Sequence, residues 1–391
     1  MNKSKEYLID TELFQHGVEC AFLINNSEFF DHPLIKWELV ENKDKTISTR
    51  MTSSDGNASV SHTCGQSEDF EGSDVDTITL PWDIQKIVDS FTDKEIRLKI
   101  ENGIQLTHAK RKYTLCNHDG EQFPNGAGST EMLCTFALNQ AEFLEGIKKA
   151  KIAASNNIVY QTLCGVLFEV VPSCSAVDLV SANGQTIAHT RISMKEDSFQ
   201  SYEDSDDILL CNIPKDFINK VEKLCNSFEY DYVGMNIYEN SVEFVLMKDN
   251  NKTLYEISMN GSYLDWASYM VDRDKATKCK INRLEFIESI KQVLPILSGK
   301  DDWVTLTFGK ELSIYGESKG IGEAEITMGY ENINIKEGQE FYLKAKYLHD
   351  AFKTGTADDV VMYFTAGKPL QFDLSEKFTF LIMPIVSVGK K

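Results

Sequence analysis

The sequence predicts an α+β protein built as three tandem copies of one domain, each with two helices packed on antiparallel sheets. Three observations predict it. The chain has 391 residues, more than one hydrophobic core usually organises, so two or three domains are expected. Hydrophobic residues make up 42% and charged residues 26%, an ordinary globular balance. A fixed order of patterns, alternating strand, amphipathic helix, strands, short helix, strands, recurs at about 130 to 140 residues, a domain-sized period.

Each copy opens on a strand that runs into a helix. Residues 7–14 (YLIDTELF) continue through Val18, Ala21 and Phe22. Residues 135–144 (TFALNQAEFL) continue through Ile147, Ala150 and Ile152. Residues 279–287 (CKINRLEFI) continue through Ile290 and Val293. In all three, alternation gives way to apolar residues three and four apart, the change of period that marks strand passing into helix. Thr11, Asn139 and Asn282 stand where an N-cap would satisfy the first free backbone donors. A second helix is expected at residues 81–88 (PWDIQKIV), 214–221 (PKDFINKV) and 344–352 (KAKYLHDAF), with proline tolerated in the first turn of the first two. Alternating strands follow at 96–100, 233–237 and 360–364, then turn residues such as Gly103 and 249–251 (DNN). The six helices are expected at 11–25, 82–91, 139–154, 214–226, 282–297 and 344–353, and the domains at 1–130, 131–272 and 273–391, the first ending after the loop 124–128 (PNGAG). Residues 64–76 are acidic and rich in Gly and Ser, and read as a mobile loop.

Several function classes find no support. No apolar run approaches the roughly 18 residues of a membrane span, and the N-terminus has no apolar segment with a cleavage site, so a cytoplasmic location is expected. The nine cysteines (20, 64, 116, 134, 164, 174, 211, 225 and 279) are odd in number, lack CxxC spacing and mostly sit in apolar stretches. They read as buried free thiols. His62 and Cys64 have no second pair at ligand spacing, so no metal and no cofactor is expected. Residues 316–322 (GESKGIG) lack the order of a phosphate-binding loop and precede a strand. No GxSxG or HExxH occurs, and the seven histidines are scattered. No catalytic residue is assigned, and a non-enzymatic role is expected. The net charge of -20 runs against the basic character of most DNA-binding domains, unless charge is unevenly distributed.

Four stretches then carry a family resemblance. Residues 163–169 (LCGVLFE) with 180–188 (VSANGQTIA) resemble the paired strands "LNGMLFE … VATDGHRLA" of the bacterial sliding clamp, the beta subunit of DNA polymerase III. Residues 123–125 (FPN) match its "FPN", 261–266 (GSYLDW) are similar to "GRFPDY", and 380–386 (FLIMPIV) to "YVVMPMRL". In this order, in a triplicated chain, they mark a divergent relative of that family. The resemblance implies DNA-clamp domains assembling as a ring, two chains head to tail, with helices lining a hole that encircles duplex DNA without sequence preference. It implies a processivity role in DNA replication, with DNA polymerase and clamp-loader subunits as partners.

The six expected helices carry 12 basic and 11 acidic residues, so the acidic excess lies outside the proposed lining, as weak sliding contact requires. The residues implied to face DNA are Lys148, Lys149, Lys151, Lys215, Lys220, Lys223, Arg283, Lys291, Lys346 and Lys353. The first helix of the first domain has no Lys or Arg. The resemblance sets Lys110, Arg111, Lys112, Tyr113 and Leu115 of the first domain against Ile296, Leu297, Glu317, Glu323 and Glu325 of the third, basic edge against acidic edge, in a homodimer. It also implies a cleft for partner peptides between domains two and three, formed by Leu163, Ala182, Gly184, Ile187, Leu264, Tyr269, Tyr347, Pro369, Met383, Pro384 and Ile385. Substituting Tyr347 or Met383 is expected to weaken peptides and spare the ring. The chain departs from the family at Gln185 and Thr186 (His-Arg in the motif), Leu264 (proline) and Ser268 (arginine), which predicts an apolar pocket with altered polar rims. The rival readings are a divergent or mobile-element-encoded clamp paralogue acting as a protein-binding scaffold, and a monomeric scaffold that has lost DNA.

Overall fold

The computed structural model describes residues 5–27, 32–41, 47–67, 77–100, 103–116, 123–124, 131–202, 207–248, 251–297 and 302–385. Of the mobile loop expected at 64–76, residues 64–67 belong instead to a strand, paired with the preceding one, and 68–76 lie outside the described residues, as do 125–128 of the loop expected at 124–128 and 249–250 of the turn expected at 249–251.

One order of elements occurs three times. The first copy runs β1 (Lys5–Asp10), α1 (Thr11–Ala21), β2 (Leu34–Glu41), β3 (Ile47–Ser54), β4 (Ala58–Ser67), β5 (Thr77–Pro81), α2 (Ile84–Val88), β6 (Glu95–Ile100), β7 (Ile104–His108) and β8 (Arg111–Leu115). The second runs β9 (Met132–Leu138), α3 (Gln140–Ala150), β10 (Gly165–Val171), β11 (Ala176–Ala182), β12 (Thr186–Ser193), β13 (Gln200–Ser201), β14 (Leu209–Pro214), α4 (Lys215–Ser227), β15 (Tyr232–Tyr238), β16 (Ser241–Lys248) and β17 (Asn251–Ser258). The third runs β18 (Thr277–Asn282), α5 (Arg283–Val293), β19 (Trp303–Phe308), β20 (Leu312–Ser318), β21 (Gly322–Met328), β22 (Glu331–Asn332), β23 (Gln339–Lys344), α6 (Ala345–Thr354), β24 (Asp359–Phe364), β25 (Leu370–Ser375) and β26 (Phe378–Ile382). None of the described helices is long and apolar enough to cross a membrane.

The chain forms two compact units. The first comprises residues 1–140, 194–205 and 219–259. It holds a nine-stranded sheet, β13-β9-β15-β16-β17-β4-β3-β2-β5, and a four-stranded sheet, β1-β6-β7-β8. The pairing of β17 with β4, from Lys252 on Thr63 to Ile257 on Ala58, makes the larger sheet continuous between copies one and two. Phe14 and Val18 of α1 and Ile84 and Val88 of α2 are buried with Trp37, Met51, Leu98 and Leu106 in one apolar cluster. Each such side chain stabilises the unit by about 1.5 to 3 kcal/mol through burial.

The second unit comprises residues 141–193, 206–218 and 260–391. Its sheets are β14-β10-β11-β12-β26-β25-β24-β18-β22 and β21-β20-β19-β23. Here β12 pairs antiparallel with β26, from Thr186 on Ile382 to Thr190 on Phe378, joining copies two and three. The α5 and α6 faces meet at Phe286 and Phe352, whose ring centroids are 4.3 Å apart.

The expected helices are corrected in three ways, while the Asn282 cap is as expected. Thr11 is the first helical residue, and the cap is Asp10, whose carboxylate accepts from Leu13 N at 3.0 Å. Asn282 is the cap of α5, accepting from Glu285 N. Pro81 and Pro214 end β5 and β14, the outermost strands of their sheets, and not the first turn of a helix. A strand end at a sheet edge can lose a backbone donor cheaply. The tails of α3 and α5 tighten into 3-10 turns at Lys151–Ala153 and Leu294–Ile296. The cysteines form no disulfide, and six are buried, but Cys116 and Cys174 are exposed and Cys164 is half-buried, so the expectation of buried thiols fails for these three.

Candidate functional site

An apolar cavity of about 470 Å³ opens on the second unit where β12 and β26 pair. Ala182, Ile187 and Leu381 line it and belong to one buried apolar cluster with Leu167 and Val180, against which Leu163, Tyr263, Leu264, Trp266 and Met270 pack. Tyr269 and Met383 stand at the wall 43% and 42% exposed. An apolar floor with exposed aromatic and thioether walls suits the apolar anchors of a short peptide.

Local chemistry fixes each wall. Between β11 and β12 the chain turns at Gly184, whose φ of 85° only glycine adopts without strain. The Asn183 carboxamide oxygen accepts from Gln185 N and Thr186 N at 3.0 and 2.9 Å, closing the turn. Met383 N donates to Gln185 O at 2.8 Å, which seats Met383 beside that turn. The opposite wall depends on Asn212, buried in β14. Its Nδ2 donates to Thr162 O (2.9 Å) and Gly261 O (3.0 Å), tying the 158–164 segment to the 260–264 segment. Gly165 makes room for it: a Cβ there would lie 2.1 Å from Asn212 Oδ1. Trp266 Nε1 donates to Glu169 at 2.8 Å, and its ring stacks on His189. His189 and Arg191 both bond Asp178. Burial by itself would raise the Asp178 carboxyl, but these hydrogen bonds outweigh it and hold the pKa at about 2.

Eight of the eleven residues assigned to the cleft from sequence line this cavity: Leu163, Ala182, Gly184, Ile187, Leu264, Tyr269, Pro369 and Met383. Tyr347, Pro384 and Ile385 stand outside its wall. Tyr347 packs on the core around α5 and α6, and Ile385 N donates to Tyr342 O. Gln185 and Thr186, expected as altered rim, are in the lining, whereas sequence reading missed Tyr160, Thr162, Ser262, Tyr263 and Leu381, and Asn212 behind them.

The ten basic residues assigned to DNA divide by exposure. Lys148, Lys223, Lys291, Lys346 and Lys353 are exposed; Lys151, Lys215, Lys220 and Arg283 are half-buried. Lys149 is buried, its ammonium 2.5 Å from Glu145, so it does not present a charge to solvent. Lys215 donates to Ala154 O and Asn156, and burial lowers its pKa. Arg283 donates to Ala357 O and Phe352 O, next to the end of α6.

Of the residues assigned to the ring edges, Arg111, Lys112, Tyr113 and Leu115 lie on the outermost strand β8 and Glu323 and Glu325 on the outermost strand β21, while Glu317 lies on the neighbouring β20 and Ile296 and Leu297 at the 3-10 turn after α5. Lys110, Arg111 and Lys112 are exposed at the start of β8, while Tyr113 and Leu115 pack partly on the core. Glu323 and Glu325 are exposed on β21 and Glu317 on β20. The Tyr315 hydroxyl lies 2.8 Å from carboxylate oxygens of both Glu317 and Glu323, and these hydrogen bonds raise its pKa. Leu297 packs against the α5 core, and Ile296 is half-buried beside it.

No protein-family model and no curated protein sequence matches the chain. Solved structures do. The sliding clamp of Bacillus subtilis aligns with 98% of this chain and 100% of its own, at a TM-score of 0.80 and 19% identity. The chain has the sliding-clamp fold. A putative DNA polymerase III beta subunit from Eubacterium rectale gives a TM-score of 0.81 at 16% identity, covering 97% of this chain and 99% of that one. The Helicobacter pylori beta clamp, solved bound to a DNA ligase peptide, gives 0.77 at 15% identity, covering 98% and 100%. Within this clamp fold, the substituted rim residues Gln185, Thr186 and Leu264 all line the cavity, and Ser268 turns its hydroxyl onto Asp265 O.

Proposed function

We propose that the chain is a non-catalytic sliding clamp: three domains (1–130, 131–272 and 273–391), paired head to tail with a second copy into a ring around duplex DNA. The ring confers processivity by topology, since DNA threads the hole and a bound polymerase stays at high effective concentration. The carrying observation is the apolar cavity at the β12–β26 junction in a chain whose fold matches clamps along its whole length. Peptide tails of polymerases and clamp-loader subunits are the proposed ligands. The H. pylori clamp's ligase peptide supports that class.

Closure would join the basic β8 edge of one copy to the acidic β20–β21 edge of the other, twice. Opposite charges would set orientation, and Tyr113, Leu115, Ile296 and Leu297 would supply apolar burial. Of the ten assigned residues, Lys148, Lys223, Lys346 and Lys353 are exposed and would face DNA, while Lys291 is exposed but paired with Glu288. The altered rim supports one second reading, a divergent or mobile-element-encoded paralogue with a different peptide preference, acting as a protein-binding scaffold. Light scattering on a sizing column separates ring from monomeric scaffold. A mass near twice the 44.3 kDa chain is expected. A concentration-independent monomer would remove the ring.

A further inference from the structure

A second constellation lies in the first unit, away from the peptide cavity. His16 and Cys20 stand one helical turn apart on α1, and His62 projects from β4. One donor atom from each lies within 4.8 Å of the other two. We propose that these three side chains form a binding site for a thiophilic divalent cation of the zinc class, which cross-links α1 to β4.

The donor set selects the ion. Two imidazoles and a thiol suit zinc and its neighbours; calcium and magnesium demand oxygen ligands. In a tetrahedral zinc site with bonds of roughly 2.0 to 2.3 Å, neighbouring donors sit about 3.3 to 3.6 Å apart. A contraction of at most about 1.2 to 1.5 Å from the 4.8 Å separation therefore completes the site, within the reach of side-chain rotation. Gly17 holds the backbones close enough: a Cβ there would fall 2.8 Å from Met51 Sδ and 3.3 Å from His62 Cδ2.

Outer groups are placed as a metal site needs them. The Thr253 hydroxyl is 2.8 Å from His62 Nδ1 and 3.9 Å from Cys20 Sγ, so one side chain steadies two ligands. The Tyr230 hydroxyl is 3.2 Å from His16 Nε2, and Phe228 stacks on the His16 ring at 3.8 Å. His62 is 1% exposed, and its Nε2 has no hydrogen-bond partner among the described residues. A buried ring nitrogen left open costs stability, and a cation bound in this pocket gives the imidazole pair a use.

Protonation agrees with this geometry. Burial, with Lys248 adding to it, lowers His16 to about 4; burial, with His16 adding to it, lowers His62 to about 3. Both rings are neutral near pH 7 and carry a lone pair. Burial raises the Cys20 thiol, so binding would release one proton from sulfur as the metal–thiolate bond forms. Cys64 is not among the donors that lie within 4.8 Å of one another; its sulfur faces the Thr49 hydroxyl at 3.3 Å. Three protein donors leave one position for water. His16 is only half-buried, which gives the ion a way in.

The test uses the full chain stripped with a chelator and titrated with Co²⁺. One equivalent is expected to produce thiolate-to-cobalt charge-transfer absorption, which Zn²⁺ then bleaches by displacement. C20S is expected to lose the band. Zinc at 100 times its dissociation constant should shift the unfolding equilibrium of the parent chain about 100-fold and leave H16Q within about threefold. The half-exposed His16 tolerates glutamine if C20S fails to fold. Absence of the band in the parent, its persistence in C20S, or an undiminished zinc shift in folded H16Q would each overturn the site.

Discussion

Truncating the cavity wall should cost peptide affinity in proportion to the surface a ligand can still cover. Tyr269 is 43% exposed. A tyrosine buries about 200 Å², so about 85 Å² remains to be covered, worth about 2 kcal/mol at 25 cal/mol/Å². Tyr269→Ala should therefore weaken a short peptide with two adjacent apolar anchors about 30-fold. Met383 is 42% exposed, and full burial of Met is worth about 1.5 to 3 kcal/mol. Met383→Ala should cost about 1 kcal/mol, roughly fivefold. Ile385 is equally exposed, at 43%, but stands outside the wall, so Ile385→Ala should stay within about twofold. Fluorescence anisotropy of a labelled peptide reads all three. More than half of each side chain is buried in the apo fold, so melting temperatures should fall by a few degrees, and binding is read well below them. A loss below threefold for Tyr269→Ala, or an Ile385→Ala loss matching it, would refute this placement of the peptide.

Asn212→Leu removes the two hydrogen bonds that tie Thr162 to Gly261 and strands two carbonyls. About 2 to 4 kcal/mol of stability should disappear, seen as a lower denaturation midpoint, with weaker peptide binding because the wall splays. The depressed Asp178 carboxyl, at about 2 against 3.8, contributes stability that is complete above pH about 4. It should be lost as pH falls towards 2, by roughly 2 to 3 kcal/mol, and Asp178→Asn should flatten that acid limb in a pH series of urea melts. Reversing charge with K110E and K112E should weaken dimerisation by tenfold or more in sedimentation. Adding E317K and E323K should restore it, and failure of that rescue would remove the electrostatic pairing of the two edges.

Periodicity exposed the helices because α1, α3 and α5 each bury one face, and the burial of Phe14 and Val18, Phe143 and Ile147, and Phe286 and Ile290 is written as i, i+4 spacing. The cavity wall was legible where it is made of strand residues such as Ala182 and Ile187, whose neighbours carry the family resemblance. Asn212 was not legible. A buried asparagine in a strand looks like any polar residue until the chain brings Thr162 and Gly261, some fifty residues away on either side, to its carboxamide. Pro81 and Pro214 misled because proline serves a helix start and a sheet-edge strand end equally well. His16 and Cys20 did carry a signal, the i, i+4 spacing of two ligand side chains, but His62 reaches them only through the packing of α1 on β4.

Encirclement can be measured by topology. Copies are reassociated from dilute solution around a nicked plasmid and fixed by carbodiimide, which joins the Lys110 and Lys112 amines to the Glu317 and Glu323 carboxylates. They are then challenged with about 1 M salt, where charges are screened beyond about 3 Å. A ring remains on the circle and leaves when the plasmid is cut to a linear form. Loss from the intact circle in salt, at the same rate as from linear DNA, would mean that the chain holds DNA by surface charge or not at all, and the clamp mechanism would fall.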